Sequence, residues 1–273
     1  MISDLLCAAD PVRSARHRLN FDPDPIQARF LASRRPRRLL NCCRQWGKST
    51  TLAVHRFVYG PPGNITLIFA PSLRQSAELL RKMVRFVVNL GFTPRGDGHN
   101  ERSLMSIHGS RIIALPSSDN RTVGFSAVNL LIFDEAARVD DAVYTAARPM
   151  IATTGGDILA LSTPRFRRGF FYDAWTHGGD TWERYTVPAA DCPRIPAAFL
   201  EEERRAESED EFRRLYCCDF VPVGRTAFLA RRPRQRPRRR LRSGVTSMNT
   251  PRFFAGLDIG KQHDHSALAV LEL

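Results

Sequence analysis

"RRLLNCCRQWGKST", Arg37 to Thr50, runs an apolar segment into Gly-Lys-Ser-Thr, and the reading of that junction decides the fold. A phosphate-binding loop is written G-x-x-x-x-G-K-[ST], with a strand before it and a helix after it. Counting back five from Gly47 lands on Cys42, where the pattern has glycine. Without that glycine the loop loses a backbone position free to take positive φ. The rest of the pattern fits. It would put Lys48 on the β/γ-phosphates, the Ser49 hydroxyl on Mg²⁺, and free N–H groups at the helix start around the phosphates. Gly-Lys-Ser also arises by chance in basic proteins, so the flanking strand and helix carry the reading.

Those flanks are legible. "RRLLNCC" predicts a first strand, Gly47 to Tyr59 a helix, "NITLIFA" a second strand, and Leu73 to Leu90 a longer helix stopped by Gly91. In that helix Leu79, Leu80, Met83, Val84, Val87 and Val88 recur at three- and four-residue steps, which predicts one buried face. "SLMSIHGSRIIALP" predicts a hairpin turning at His108 to Ser110. "AVNLLIFDEA" and "GDILALSTP" are nearly continuous apolar runs, as strands covered on both faces should be. Helices around "TWERYTVP" follow, from "GFFYDAWTHG" and "AAFLEEERRAESEDEFRRLYCCDF". The alternation predicts an α/β protein with a mostly parallel sheet between helices.

Two further motifs fit that scheme. "LLIFDEA" ends an apolar strand in Asp134, whose carboxylate can join an Mg²⁺ shell, and Glu135, placed to activate water as a general base. An isolated acidic pair at a strand end is more often a helix N-terminal charge; downstream of Lys48 in an α/β pattern it is more specific, and it points to hydrolysis. Ser162, Thr163 and Pro164 close the next strand. Their hydroxyls can bond the glutamate or its water, although Ser, Thr and Pro also make plain turns.

The composition bounds the rest. The 273 residues are 43% apolar, enough for a core. Six cysteines include the pairs Cys42-Cys43 and Cys217-Cys218 and no C-x-x-C spacing, which argues against zinc and for reduced thiols. No segment reaches the roughly 18 to 20 unbroken apolar residues of a membrane helix, so a soluble intracellular protein with no membrane association is expected. Of the formal charge of +13, eight arginines lie between Arg231 and Arg242, leaving +5 on the remainder. That run is a phosphate-gripping linker, a solvated charge block, or sequence translated out of frame. Beyond it, "RFFAGLDIGKQHDHSALAVLEL" predicts two strands joined by a polar loop.

The ordered set "DPIQARFLASRRPRRLLNCCRQWGKST", "NLLIFDEAA", "ILALSTPRFRRGFFYDAW" and "AGLDIGKQHDHSAL" resembles the large subunit of the terminase, the DNA-packaging motor of tailed phages. The resemblance implies a P-loop NTPase of the additional-strand, catalytic-glutamate type. Its phosphate loop often lacks the first glycine and carries Arg-Gln before Gly-Lys. Carried over, Arg44 would reach the γ-phosphate, with Gln45, Trp46, Gly47, Lys48, Ser49 and Thr50 around the nucleotide. Glu135 would be the base, Ser162-Thr163-Pro164 the coupling motif, and Gln27 the reader of the adenine edge; the alternative for Gln27 is a surface residue near a helix start.

The same resemblance implies a C-terminal nuclease of the RNase H-like type using two divalent ions, Mg²⁺ or Mn²⁺. Asp258 would be its first metal ligand. Asp264 could lie near it or in a solvated turn, and His263 and His265 read as loop residues. With one hairpin of that domain before Leu273, nuclease activity is expected to be lost, which suggests a partial gene product or a decayed prophage copy. The implied organisation is a polar segment 1–20, an ATPase motor domain 21–222, a Pro/Arg-rich linker 223–251 and the start of the nuclease domain 252–273. The implied partners are double-stranded DNA, a portal, a small terminase subunit and other copies in a ring, in a bacterial host cytoplasm. A helicase or remodelling ATPase shares the loop and the Asp-Glu pair, but no second set of helicase motifs follows residue 165. A non-catalytic remnant that binds nucleotide or DNA without turnover is the other alternative.

Overall fold

The computed structural model describes residues 10–59, 63–91, 93, 103–105, 110–117 and 124–222, and the strands 253–258 and 267–272. Its chain forms two compact units, residues 1–231 and 232–273.

The first unit is built on a seven-stranded sheet. Its strands are β1 (Arg37–Cys42), β2 (Ile65–Ala70), β3 (Ser103–Met105), β4 (Arg111–Pro116), β5 (Leu130–Asp134), β6 (Asp157–Ser162) and β7 (Glu183–Val187). They lie in the order β3-β4-β2-β5-β6-β1-β7. All neighbours are parallel except β3 and β4, the predicted hairpin, where Met105 pairs with Arg111. Residues 106–109 of its predicted turn lie outside the described residues. β6 is inserted between the strand that feeds the phosphate loop and the strand that ends in Asp134. That inserted strand defines the additional-strand class.

Alternation divides the core. From β1, Leu40 packs on one face of the sheet and Leu39 on the other; from β5, Leu130 and Ile132 oppose Leu131 and Phe133. The first face is covered by α1 (Pro11–Leu19), α2 (Pro25–Ala32), α3 (Lys48–Tyr59) and α4 (Leu73–Asn89), through residues such as Leu19, Phe30, Leu52 and Met83. The second is covered by α5 (Asp141–Ala147) and α6 (Phe170–His177), through Val143 and Phe171. Helices α7 (Ala197–Ala206) and α8 (Glu209–Tyr216) complete the unit, separated where Ser208 caps α8 by accepting from the Glu211 N–H.

Three local outcomes differ from simple expectation. The polar N-terminal segment includes α1, whose Ala15 and Leu19 are buried. On α4, Phe86 is buried whereas Val88 is 55% exposed. One further residue along a helix turns the side chain about 100°, which carries Val88 off the stripe centred on Leu79, Met83 and Phe86. Arg38, in mid-strand β1, is buried and donates to the Phe30 and Ser33 carbonyls, tying α2 to the strand.

In the second unit, β8 (Phe253–Asp258) and β9 (Ala267–Glu272) pair antiparallel, with Asp258 opposite Ala267. Asp264, its flanking histidines and the arginine run lie outside the described residues.

Candidate active site: a phosphate cleft at the ends of three parallel strands

The cleft opens at the C-terminal ends of β1, β5 and β6, where parallel α/β sheets hold their ligands. After β1 the chain passes Gln45 at φ 65° and Gly47 at φ 94° before α3 begins. The left-handed positions are therefore at Gln45 and Gly47. Cys42 is the last, fully buried residue of the strand. Its missing glycine costs the loop nothing, because that position is extended and needs no positive φ. Burial pushes the Cys43 pKa up to about 12 and that of Cys42 well above its usual value, so both stay neutral thiols.

The predicted acids and hydroxyls converge here. Lys48 Nζ donates to Thr163 Oγ1 at 3.1 Å and to the Cys43 carbonyl at 3.3 Å, and lies 3.6 Å from Glu135 Oε1. Ser49 Oγ donates to Asp134 Oδ2 at 3.3 Å. Glu135 stands in left-handed backbone, φ 51° and ψ 45°, which turns the chain away from β5. Ser162 Oγ accepts from the Ala137 N–H at 3.2 Å, joining the additional strand to the turn after Glu135. The carbonyl of Pro164 accepts a long bond from Arg214 at 3.5 Å. The next residue, Arg165, accepts at its carbonyl from Val221 N–H.

Burial, reinforced by Glu135 and opposed by Lys48 and by the bond from Ser49, pushes the Asp134 pKa up to about 6. Burial alone would lower the Lys48 pKa. Neighbouring negative charge raises it instead, chiefly the carboxylates of Glu135 and Asp134, since Cys42 is a neutral thiol. Ser49 and Asp134 form a hard oxygen pair suited to Mg²⁺, and a divalent ion there would relieve the cost of ionising a buried carboxylate.

The cleft has a volume of about 550 Å³ and is lined by Arg44, Gln45, Gly47, Lys48, Ser49, Thr50, Glu135 and Thr163 from the predicted set. Asp134, Ser162 and Pro164 stand behind this lining, and two residues expected to contact the nucleotide, Gln27 and Trp46, are not in it. Gln27 is 2% exposed. Its carbonyl oxygen accepts from Asp24 N–H in a capping box at the start of α2, and its amide nitrogen donates to the Trp46 carbonyl at 3.3 Å. With one bond made at each end of its amide, Gln27 ties the start of α2 to the loop. The Trp46 indole is fully buried in the core, and its carbonyl is held by Gln27 and Arg194. Three residues that the motifs did not indicate also line the cleft: Gln75 and Lys82 from α4, and Arg138 from the turn Ala136–Arg138. The sequence signal for Arg138 was its spacing in "DEAAR". For Lys82 there was none, since α4 also carries Arg74, Arg81 and Arg85 and nothing in the sequence sets Lys82 apart from them.

A family model for the N-terminal part of the terminase large subunit, T4-like-virus type, matches residues 39–232. The chain belongs to the terminase large subunit family. Its fold is similar to that of the large terminase ATPase domain of Thermus phage P74-26, with a TM-score of 0.66 at 20% identity over 78% of this chain and 99% of that one. The HK97 bacteriophage large terminase gives 0.61 at 18% identity, covering 96% of this chain. The large terminase of a thermophilic bacteriophage, in complex with ADP, gives 0.60 at 9% identity over 98% of this chain. This terminase chain spans 64% of the length of each of the last two. Among curated proteins, none matches it in sequence. No helix among its described residues is long and apolar enough to cross a membrane.

Proposed function

We propose that this terminase chain is an ATP-hydrolysing motor subunit that drives double-stranded DNA into a viral procapsid. The observation that carries the reading is the meeting of Lys48, Ser49–Asp134, Glu135 and Thr163 in one cleft at the ends of three adjacent parallel strands. The thermophilic-phage large terminase, whose fold this chain shares, is described in complexes with ADP and with ATP-γ-S.

In this reading Lys48 leaves Glu135 and Thr163 for the β/γ-phosphates, and the N–H groups at the start of α3 cradle them. Ser49 and Asp134 would hold Mg²⁺, which supplies charge neutralisation on the phosphoryl oxygens when bound. Glu135, released from Lys48, orients a water and takes its proton as the γ-phosphoryl group departs from ADP. Arg44, in the loop that faces the phosphates, stabilises charge in the transition state. Coupling runs through Ser162, Thr163 and Pro164, because the strand that bonds Lys48 continues into Arg165 and its bond to Val221. Contacts with DNA would be to phosphates, salt-dependent and indifferent to sequence. Ring assembly with other copies, a portal and a small subunit, in a bacterial host cytoplasm, completes the proposed setting. Asp258 ends β8; a nuclease role for it is tested by incubating the chain with Mn²⁺ and plasmid DNA.

The deciding experiment is phosphate release by the purified chain with and without duplex DNA. DNA-stimulated turnover that disappears in Glu135→Gln supports the motor reading. Wild-type release no greater than that of the variant leaves a nucleotide-binding remnant instead. Arg44→Ala should lower kcat about tenfold or more with little change in nucleotide affinity; equal losses in both would make Arg44 a ground-state contact.

A further inference from the structure

The cleft carries more positive charge than its carboxylates balance. Lys48 faces Glu135 at 3.6 Å, so these two offset one another. Arg44, Lys82 and Arg138 line the same space, and none has a carboxylate partner among the described residues. Lys82 and Gln75 stand two turns apart on α4, so one helix face forms a wall separate from the loop of Arg44 and Lys48. Lys82 is half-buried there. Arg138 enters from a third side, three residues after Glu135 on the turn that the Ser162 hydroxyl anchors through Ala137. Beyond Arg138 lie Arg165 and Arg168, which add like charge and no relief.

Holding like charges together in a cleft raises the energy of the empty protein and is repaid by a polyanion. A triphosphate is such a ligand. In the ATPase reading the reacting γ-phosphoryl group lies beside Glu135, so Arg138, three residues on, and Lys82, on another wall of the same cleft, act on that end of the ligand. We propose that Lys82 and Arg138 are positioning residues for the terminal phosphate, through which the cleft discriminates ATP from ADP. This inference rests on the ATPase reading above.

The test compares wild type with Lys82→Met, Arg138→Met and Lys82→Arg in the full chain, using fluorescent-nucleotide competition by ATP-γ-S and ADP and steady-state kinetics. Each methionine variant should weaken ATP-γ-S about tenfold or more relative to ADP, and raise KM more than it lowers kcat. Lys82→Arg should keep most of the discrimination. Arg138 is exposed, so its truncation reads the effect even if Lys82→Met fails to fold. If wild type binds ATP-γ-S in a Lys48-dependent way while both methionine variants bind the two nucleotides as wild type does, or lose both equally, this inference is overturned and the ATPase reading stands. If the variants instead lose only salt-dependent binding of duplex DNA, the cations belong to a DNA surface and the inference is again overturned. A wild type that binds neither nucleotide overturns the ATPase reading and this assignment together.

Discussion

The ends of β1 and β5 lie one strand apart and deliver the chain into the same cleft, yet they present different parts of it. After β1 the backbone itself is exposed: Gln45 and Gly47 take left-handed conformations, and α3 opens at Lys48 with its first N–H groups free of helical partners. After β5 a single left-handed residue, Glu135, turns the chain into a short 3₁₀ turn, so what is offered is a side chain. In the proposed mechanism one strand end binds and the other reacts. Substitutions in the first should fall on affinity and stability, and those in the second on the chemical step.

The sharpest way to break this contrast is to remove one group from each side. Lys48→Ala should abolish nucleotide binding and hydrolysis together. Glu135→Gln should lower phosphate release at least about a hundredfold while nucleotide affinity survives. If Glu135→Gln costs affinity as much as rate, the division between the two ends fails. Gly47→Ala comes next. At φ 94°, with its added Cβ 3.3 Å from Gln27 Nε2, the variant should lose about 1–3 kcal/mol of stability in urea denaturation. It should also weaken nucleotide binding.

Smaller effects test the support behind the loop. Gln27→Ala removes half of a capping box and the bond to the Trp46 carbonyl, and should cost about 1–2 kcal/mol of stability. Its kcat and its preference for adenine over guanine nucleotides should hardly change; loss of that preference would restore Gln27 as a base reader. The smallest effect is expected at the position where the loop pattern asks for glycine. Cys42→Gly should destabilise by about 1 kcal/mol, through lost packing and greater unfolded-chain freedom, and should not tighten nucleotide binding. Tighter binding would show that the strand end limits the loop after all.

The elements were legible because their signals are local. β1, β2, β5 and β6 are apolar runs bounded by polar turns, and α4 repeats its apolar residues with helical period, so each could be read from a short window. The one slip on α4, Val88 for Phe86, came from the last turn, where a small error in phase moves a side chain off the buried stripe. The acids, Lys48, Ser49 and Thr163, which the motifs singled out, are brought together by the fold. Gln27 and Trp46 do not line the cleft, for a different reason. Both sit close in sequence to the loop, but the capping box of α2 and the core behind β1 claim their side chains.

By itself the sequence determined the kinds of element, their order, and the motifs on which the proposed phosphate and water chemistry rests, because these follow from spacing along one stretch of chain. Only the tertiary structure decided that β6 lies between β1 and β5, which sets Thr163 against Lys48. It also decided that α4 faces the loop, which brings Lys82 into the cleft. Those relations join residues far apart in sequence and depend on how crossover helices cover a sheet, which no local period records. The same packing explains Cys42: the pattern marks a missing glycine, whereas the fold makes that position the buried end of a strand, where a side chain belongs.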